Sequence, residues 1–174
     1  APEIVFQLSV PLLGICYGMQ TMAAQLGGTV EASDEREFGY AEINTVDSIF
    51  LKDLSDDASN HLLKVWMSHG DRIESIPSGF KAVASSQNSP YAAMEDVSRQ
   101  YFGLQFHPEV THTLQGKKII DRFVHEICGC LHEWTPANIA IEAVKKVQSE
   151  VGDGRVLLGL SGGVDSSVVA AILN

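Results

Sequence analysis

Val10-Pro-Leu-Leu-Gly-Ile-Cys16-Tyr-Gly-Met-Gln20 carries the strongest structural signal in the chain. A short apolar run leads into Gly14-Ile15-Cys16-Tyr17-Gly18, and helix-forming residues follow from Met19 to Leu26. The pattern predicts a strand, a sharp turn with cysteine at its apex, and a helix that ends at Gly27-Gly28. Glycines two before and two after the cysteine are expected to relieve crowding where strand and helix cross. A thiol at that point lies near unpaired N–H groups and the positive end of the helix dipole, which favour thiolate. The Tyr17 N–H is free to donate to a developing oxyanion. A buried structural cysteine is the competing reading, and partners elsewhere in the chain have to decide between them.

The best partners lie at the end of the apolar segment Tyr101 to Phe106, in His107-Pro108-Glu109. Strand alternation points His107 and Glu109 the same way. A nucleophilic cysteine needs a base, and the base needs an orienting group. His107 suits the first role and Glu109 the second. His69, beside Gly70, also stands out. His112 reads as a bystander, and His61, His125 and His132 as solvated. Cys128-Gly-Cys130 lacks the second cysteine pair of a zinc site.

A third constellation is Ser161-Gly162-Gly163-Val164-Asp165-Ser166-Ser167. Arg155 to Leu160 before it is almost wholly apolar, as a strand buried on both faces of a parallel sheet would be. A helix is expected after it. Paired glycines, free N–H groups and hydroxyls suit a phosphate, and Asp165 fits beside one if a divalent cation lies between. The spacing is not that of a Walker loop, which needs a lysine.

Between these motifs, Gly39 to Val46 alternates like an antiparallel strand. Asp34 to Phe38 and Ser55 to Asn60 read as polar loops. Lys64 to Met67 reads as a short strand leading into a loop, Ser68-His69-Gly70-Asp71. Phe80 to Ser85 and Tyr91 to Met94 read as paired strands. Gly116 to Cys128 has one apolar helical face, at Ile119, Ile120, Phe123, Val124 and Ile127. The domain boundary is expected between Cys130 and Thr135, with Thr135-Pro136 capping a new helix that Gly152 ends. The expected domains are 1–133 and 134–174.

Among the 174 residues, 12 Lys and Arg face 22 Asp and Glu, a net charge of −10. That balance argues against nucleic acid and against an anionic membrane surface. No apolar run approaches the length of a bilayer span. Three cysteines suggest no disulfide framework and point to the cytoplasm. The missing initiator methionine and the abrupt end read as an internal piece of a longer protein.

Gly14-Ile-Cys16-Tyr-Gly18-Met-Gln20 together with Phe106-His107-Pro108-Glu109 resembles the class I glutamine amidotransferases. Ser161 to Ser167 resembles the pyrophosphate loop of the N-type ATP pyrophosphatases. The resemblance covers essentially the whole chain, including His107-Pro-Glu-Val-Thr-His112 and Trp134-Thr-Pro136. It implies a flavodoxin-like α/β open sheet with helices on both faces, followed by the first helix-strand-loop-helix of a second α/β nucleotide-binding domain. It implies that Cys16, His107 and Glu109 form a catalytic triad on glutamine. Tyr17, Gln20, Ser68, His69, Gly70 and Asp71 would hold the glutamine. Ser161, Gly162, Gly163, Val164, Asp165, Ser166 and Ser167 would bind ATP phosphates, with Asp165 near Mg2+.

One chain with both motifs implies a ligase. Released ammonia would attack adenylated xanthosine 5′-monophosphate, giving GMP, AMP and pyrophosphate, in a full-length homodimer. In the family a segment before the elbow supplies a second oxyanion donor. This piece alone is therefore expected to hydrolyse glutamine poorly. The competing readings are a stand-alone glutaminase subunit, which would not carry residues 155–167, and a non-catalytic fragment. A serine-hydrolase-like enzyme with cysteine at its elbow fits His-Pro-Glu poorly.

Overall fold

The computed structural model describes residues 1–57, 61–133 and 135–173, with backbone only at 33–35. The end of the Ser55 to Asn60 loop and Trp134, the expected start of the second domain, lie outside the described residues. The chain divides into two compact units, Ala1–Cys130 and Leu131–Asn174.

The first unit is built on a six-stranded sheet in the order β1-β6-β5-β4-β2-β3. Its strands are β1 (Leu12–Ile15), β2 (Thr29–Thr45), β3 (Leu62–Ser75), β4 (Lys81–Ser85), β5 (Ala93–Asp96) and β6 (Tyr101–Leu104). β1 and β6 pair in parallel, Leu12 opposite Tyr101 and Ile15 opposite Leu104. The other neighbouring pairs are antiparallel. The sheet is thus mixed rather than mostly parallel, as a flavodoxin-like fold would have it. Short turns join β4 to β5 and β5 to β6, and such turns permit only antiparallel neighbours.

Helices cover both faces, and β6 shows why. Phe102 and Leu104 point into one cluster with Phe50, Leu63, Val65 and Ile119. Tyr101 points into the other, with Met19, Met22 and Ala23 of α1 (Tyr17–Gln25). The period of two along the strand divides the core between the helix layers. On the first face, α2 (Gly116–Asp121) continues as a π-helical turn, Arg122–Ile127. The expected single helix over 116–128 is therefore interrupted, and Phe123 in the π turn packs edge-on against Phe50 and Phe102.

Two readings are corrected in β2 and β3. Glu37 and Phe38, expected in a loop, lie in β2 opposite His69 and Ser68. Ser68 to Asp71, expected as a loop after a short strand, lies inside β3. Glycine and aspartate disfavour strands locally. Here the long β2 ladder, with a register shift between Ala32 and Glu37, overrides that preference.

In the second unit, α3 (Pro136–Val151) begins where expected, with Pro136 in the first turn and the Thr135 hydroxyl accepting from Asn138 N–H. It ends at Gly152, whose φ is +54°. α4 (Val164–Leu173) follows the Ser161 loop. The strand expected at Arg155 to Leu160 does not form, and Leu157 is 99% exposed. A buried parallel strand exists only against neighbours, and no strand accompanies it among the described residues of this unit.

Candidate active site

Cys16 sits between β1 and α1, at φ +50° and ψ −108°. A non-glycine residue in that region is strained, and the surroundings have to hold it. Its N–H donates to Leu104 O at 2.7 Å, which ties the turn to the end of β6. The two glycines of the expected elbow differ. A Cβ on Gly14 would come within 2.7 Å of Gly18 C and Met19 N, so strand and helix cross with no room for it. A Cβ on Gly18 would meet nothing within 4 Å. The expectation that both positions are crowded is corrected: only the strand side is.

Because β1 and β6 are parallel neighbours, the residues after each strand emerge side by side. Gln105 and His107 follow β6 as Cys16 follows β1. His107 Nδ1 lies 2.6 Å from Glu109 Oε1, but both residues lie in the turn beyond β6, so strand alternation, the reason given by their spacing, is not what aligns them. The His107 N–H donates to Trp66 O and its C=O accepts from the Thr113 hydroxyl, so the ring hangs from a pinned backbone. His112, read as a bystander, stacks against Trp66 with ring centres 4.4 Å apart.

The Cys16 thiol donates to Ser68 O at 3.6 Å and accepts from Gln105 Nε2 at 3.7 Å. Among the described residues no hydrogen bond joins the sulfur to the His107 ring. The thiol is held above its ordinary value. Burial is the main cause, and the Glu109 carboxylate adds to it; the Tyr17 N–H and the Gln105 amide act the other way. The helix start therefore does not by itself deliver the thiolate that the sequence promised, because the sulfur is partly desolvated and faces a negative charge.

The residues expected to hold glutamine fall into two groups. Tyr17 is 77% exposed at the helix start. Gln20 is buried, and its Nε2 donates to Asp71 O at 2.8 Å and to Gln105 Oε1 at 3.1 Å. Ser68 and Gly70 offer backbone along β3. His69 is buried, with Nδ1 3.0 Å from Asp71 O and Nε2 3.1 Å from Glu37 Oε2. Glu37 also accepts from the Ser86 and Ser89 hydroxyls, each at 2.8 Å. Sequence reasoning missed Gln105 and Glu37. Gln105 left one signal, an amide closing an otherwise apolar strand. Glu37 left none, since its partners lie 32 to 52 residues away.

The Ser161 loop lies apart in sequence and in the other unit. Gly162 has φ +81°. The Ser161 and Ser166 hydroxyls are 3.1 Å apart, and Ser167 donates to Gly163 O at 2.9 Å. Asp165 lies in the first turn of α4. Among the described residues no helix is long and apolar enough to cross a membrane.

An elbow cysteine on a mixed α/β sheet agrees with the fold of the class I glutamine amidotransferases. The family model of that description matches residues 2–127, and the chain belongs to this family. More particularly, it is similar to glutamine-hydrolysing GMP synthases. It is 59% identical to the one from Alkalilimnicola ehrlichii, over 99% of this chain and 34% of that protein. It is 60% identical to the one from Ectopseudomonas mendocina, over 100% of this chain and 34% of that protein. The chain thus spans about a third of the length of these relatives. Among solved structures, a GMP synthase subunit protein from Thermoplasma acidophilum matches with TM-score 0.67 and 30% identity, over 73% of this chain and 61% of that one. A Thermotoga maritima glutamine amidotransferase, at 22% identity and TM-score 0.55, covers 98% of this chain and 64% of that one, and shares the fold.

Proposed function

We propose that this chain supplies ammonia for GMP synthesis by hydrolysing glutamine through Cys16, His107 and Glu109. The observation that carries the reading is the Cys16 N–H bound to Leu104 O, which ties the elbow to the end of β6, just before the turn that bears the His107-Glu109 pair.

The chemistry follows from the residues. The resting thiol has to lose its proton, and its environment opposes that. His107 takes the proton as the sulfur attacks the side-chain carbonyl of glutamine. The C=O π bond becomes an oxyanion, to which Tyr17 N–H donates. Glu109 holds the imidazole by Nδ1 and steadies its cationic form, which then protonates the leaving ammonia. Water, activated by the neutral ring, cleaves the thioester and restores the thiol. Gln20 and the Ser68 to Asp71 segment would hold the α-groups of glutamine.

In the whole protein, ammonia would aminate xanthosine 5′-monophosphate activated by ATP. The Ser161 to Ser167 loop would bind the ATP phosphates, with Asp165 beside Mg2+. The loop suits a phosphate chain because it combines a glycine at positive φ, three hydroxyls and a helix start. The test is Cys16→Ala in the full-length enzyme. It should abolish GMP formation from glutamine and leave formation from added ammonia intact. Retained glutamine use would refute the assignment.

A further inference from the structure

One backbone carbonyl dictates how the side-chain amides of Gln20 and Gln105 are turned. The Asp71 C=O can only accept. Its two partners, His69 Nδ1 at 3.0 Å and Gln20 Nε2 at 2.8 Å, must therefore both donate. Gln20 thus turns its NH2 inward, and that NH2 also lies 3.1 Å from Gln105 Oε1. Gln105 consequently presents its carbonyl to Gln20 and its own NH2 to the Cys16 sulfur, at 3.7 Å. Turning either amide over would set donor against donor, or oxygen against oxygen, in a buried place. Gln20 is 7% exposed and Gln105 1%. At the far end Glu37 grips His69, and two serine hydroxyls grip Glu37.

We propose that Gln105 is a further catalytic residue: its Nε2–H is locked onto the Cys16 sulfur and favours thiolate over thiol. Gln20, His69 and Glu37 are positioning residues that keep the amide from turning over. The inference rests on the reading of Cys16 as the nucleophile. A thiolate can only accept, and a hydrogen bond to an ion is about twice as strong as one to a neutral group. The donor therefore acts more strongly after the proton leaves than before. It works with Tyr17 N–H and against the Glu109 carboxylate, itself bonded to His107. The Ser68 C=O, which accepts from the resting thiol, loses that bond on ionisation.

The test is the pH dependence of Cys16 alkylation by iodoacetamide, in the 174-residue chain carrying Cys128→Ser and Cys130→Ser. Gln105→Glu replaces the donor by an oxygen of the same shape. It should raise the alkylation midpoint by about one pH unit, slowing the reaction near neutral pH about tenfold. A new buried carboxylate can prevent folding, so Gln105→Met supplies the second arm. It keeps the volume, removes the donor and leaves Gln20 bonded to Asp71; the midpoint should rise by a smaller amount. Gln20→Met, which never touches the sulfur, should raise it as well. A folded Gln105→Met chain whose midpoint matches the parent overturns the proposal. Alkylation needs no glutamine turnover. A shifted midpoint therefore supports the Gln105 role whether or not the 174-residue chain turns glutamine over, whereas the proposed function falls only if full-length enzyme carrying Cys16→Ala still uses glutamine.

Discussion

Glu109 is 2.6 Å from the His107 ring, yet its carboxylate also raises the Cys16 thiol. The same charge helps the base and hinders the nucleophile.

Glu109→Gln should therefore move two readouts in opposite directions. Removing the negative charge lowers the thiol's pKa, so alkylation of Cys16 at a fixed pH below its midpoint becomes faster. Removing the imidazole's anionic partner lowers glutamine turnover, by about 10²- to 10⁴-fold on the pattern of other triads. The Glu109 side chain is 49% exposed, so the gain in alkylation should shrink as salt rises. Parallel rates of alkylation and turnover across wild type and variant would contradict this division of roles.

The elbow gives a second pair of variants. Gly14→Ala drives a methyl into the backbone of Gly18 and Met19, which cannot yield like a flexible side chain. It should cost about 1–3 kcal/mol, as overpacking does. Gly18→Ala meets open space inside α1 and should be neutral or stabilise by up to about 1 kcal/mol, as alanine does in a helix. Urea unfolding of the two variants checks the contrast.

Those glycines mark how far local sequence reaches. Both looked alike in the chain, because spacing shows that a strand meets a helix but not which residue stands at the crossing. The strand-elbow-helix unit, the His107-Glu109 pair and the Thr135-Pro136 cap were legible because their partners lie within a few residues. The Ser68 to Asp71 segment was not. Its strand conformation is imposed by β2, about thirty residues earlier, against its own propensities. Arg155 to Leu160 failed in the opposite sense. Its composition suits a buried strand, but a strand takes its stability from neighbours.

Asp96 should dominate the acid limb of stability near β5. Burial acts to raise its carboxyl, but the Ser98 hydroxyl, the Arg99 N–H and the Arg99 guanidinium outweigh burial and hold it below its ordinary value. A carboxyl depressed in the folded state stabilises above its unfolded pKa, about 3.9. That contribution fades as pH falls through the folded value. Asp96→Asn should lose about 1 kcal/mol at pH 7, because Ser98 and Arg99 are exposed and water replaces part of what they lose. It should also unfold with a shallower pH dependence below about pH 4. Urea midpoints at pH 7 and pH 3 measure both; an unchanged difference between them would place the acid sensitivity elsewhere.

Glu37 offers the sharpest test of how β2 and β3 are joined. Its Oε2 lies 3.1 Å from His69 Nε2 and it accepts from two serine hydroxyls, with 9% of its side chain exposed. Glu37→Ala removes the carboxylate acceptor of the Ser86 and Ser89 hydroxyls and leaves His69 Nε2 only the Ser89 hydroxyl at 3.5 Å. An orphaned buried donor costs about 1–3 kcal/mol. Glu37→Gln keeps the size and one acceptor oxygen, and its amide can donate to a serine or to the His69 ring. The alanine variant should therefore unfold at clearly lower urea, with the glutamine variant between it and wild type. Equal stability of the two variants would mean that the carboxylate only fills space, and that His69 is held through Asp71 alone.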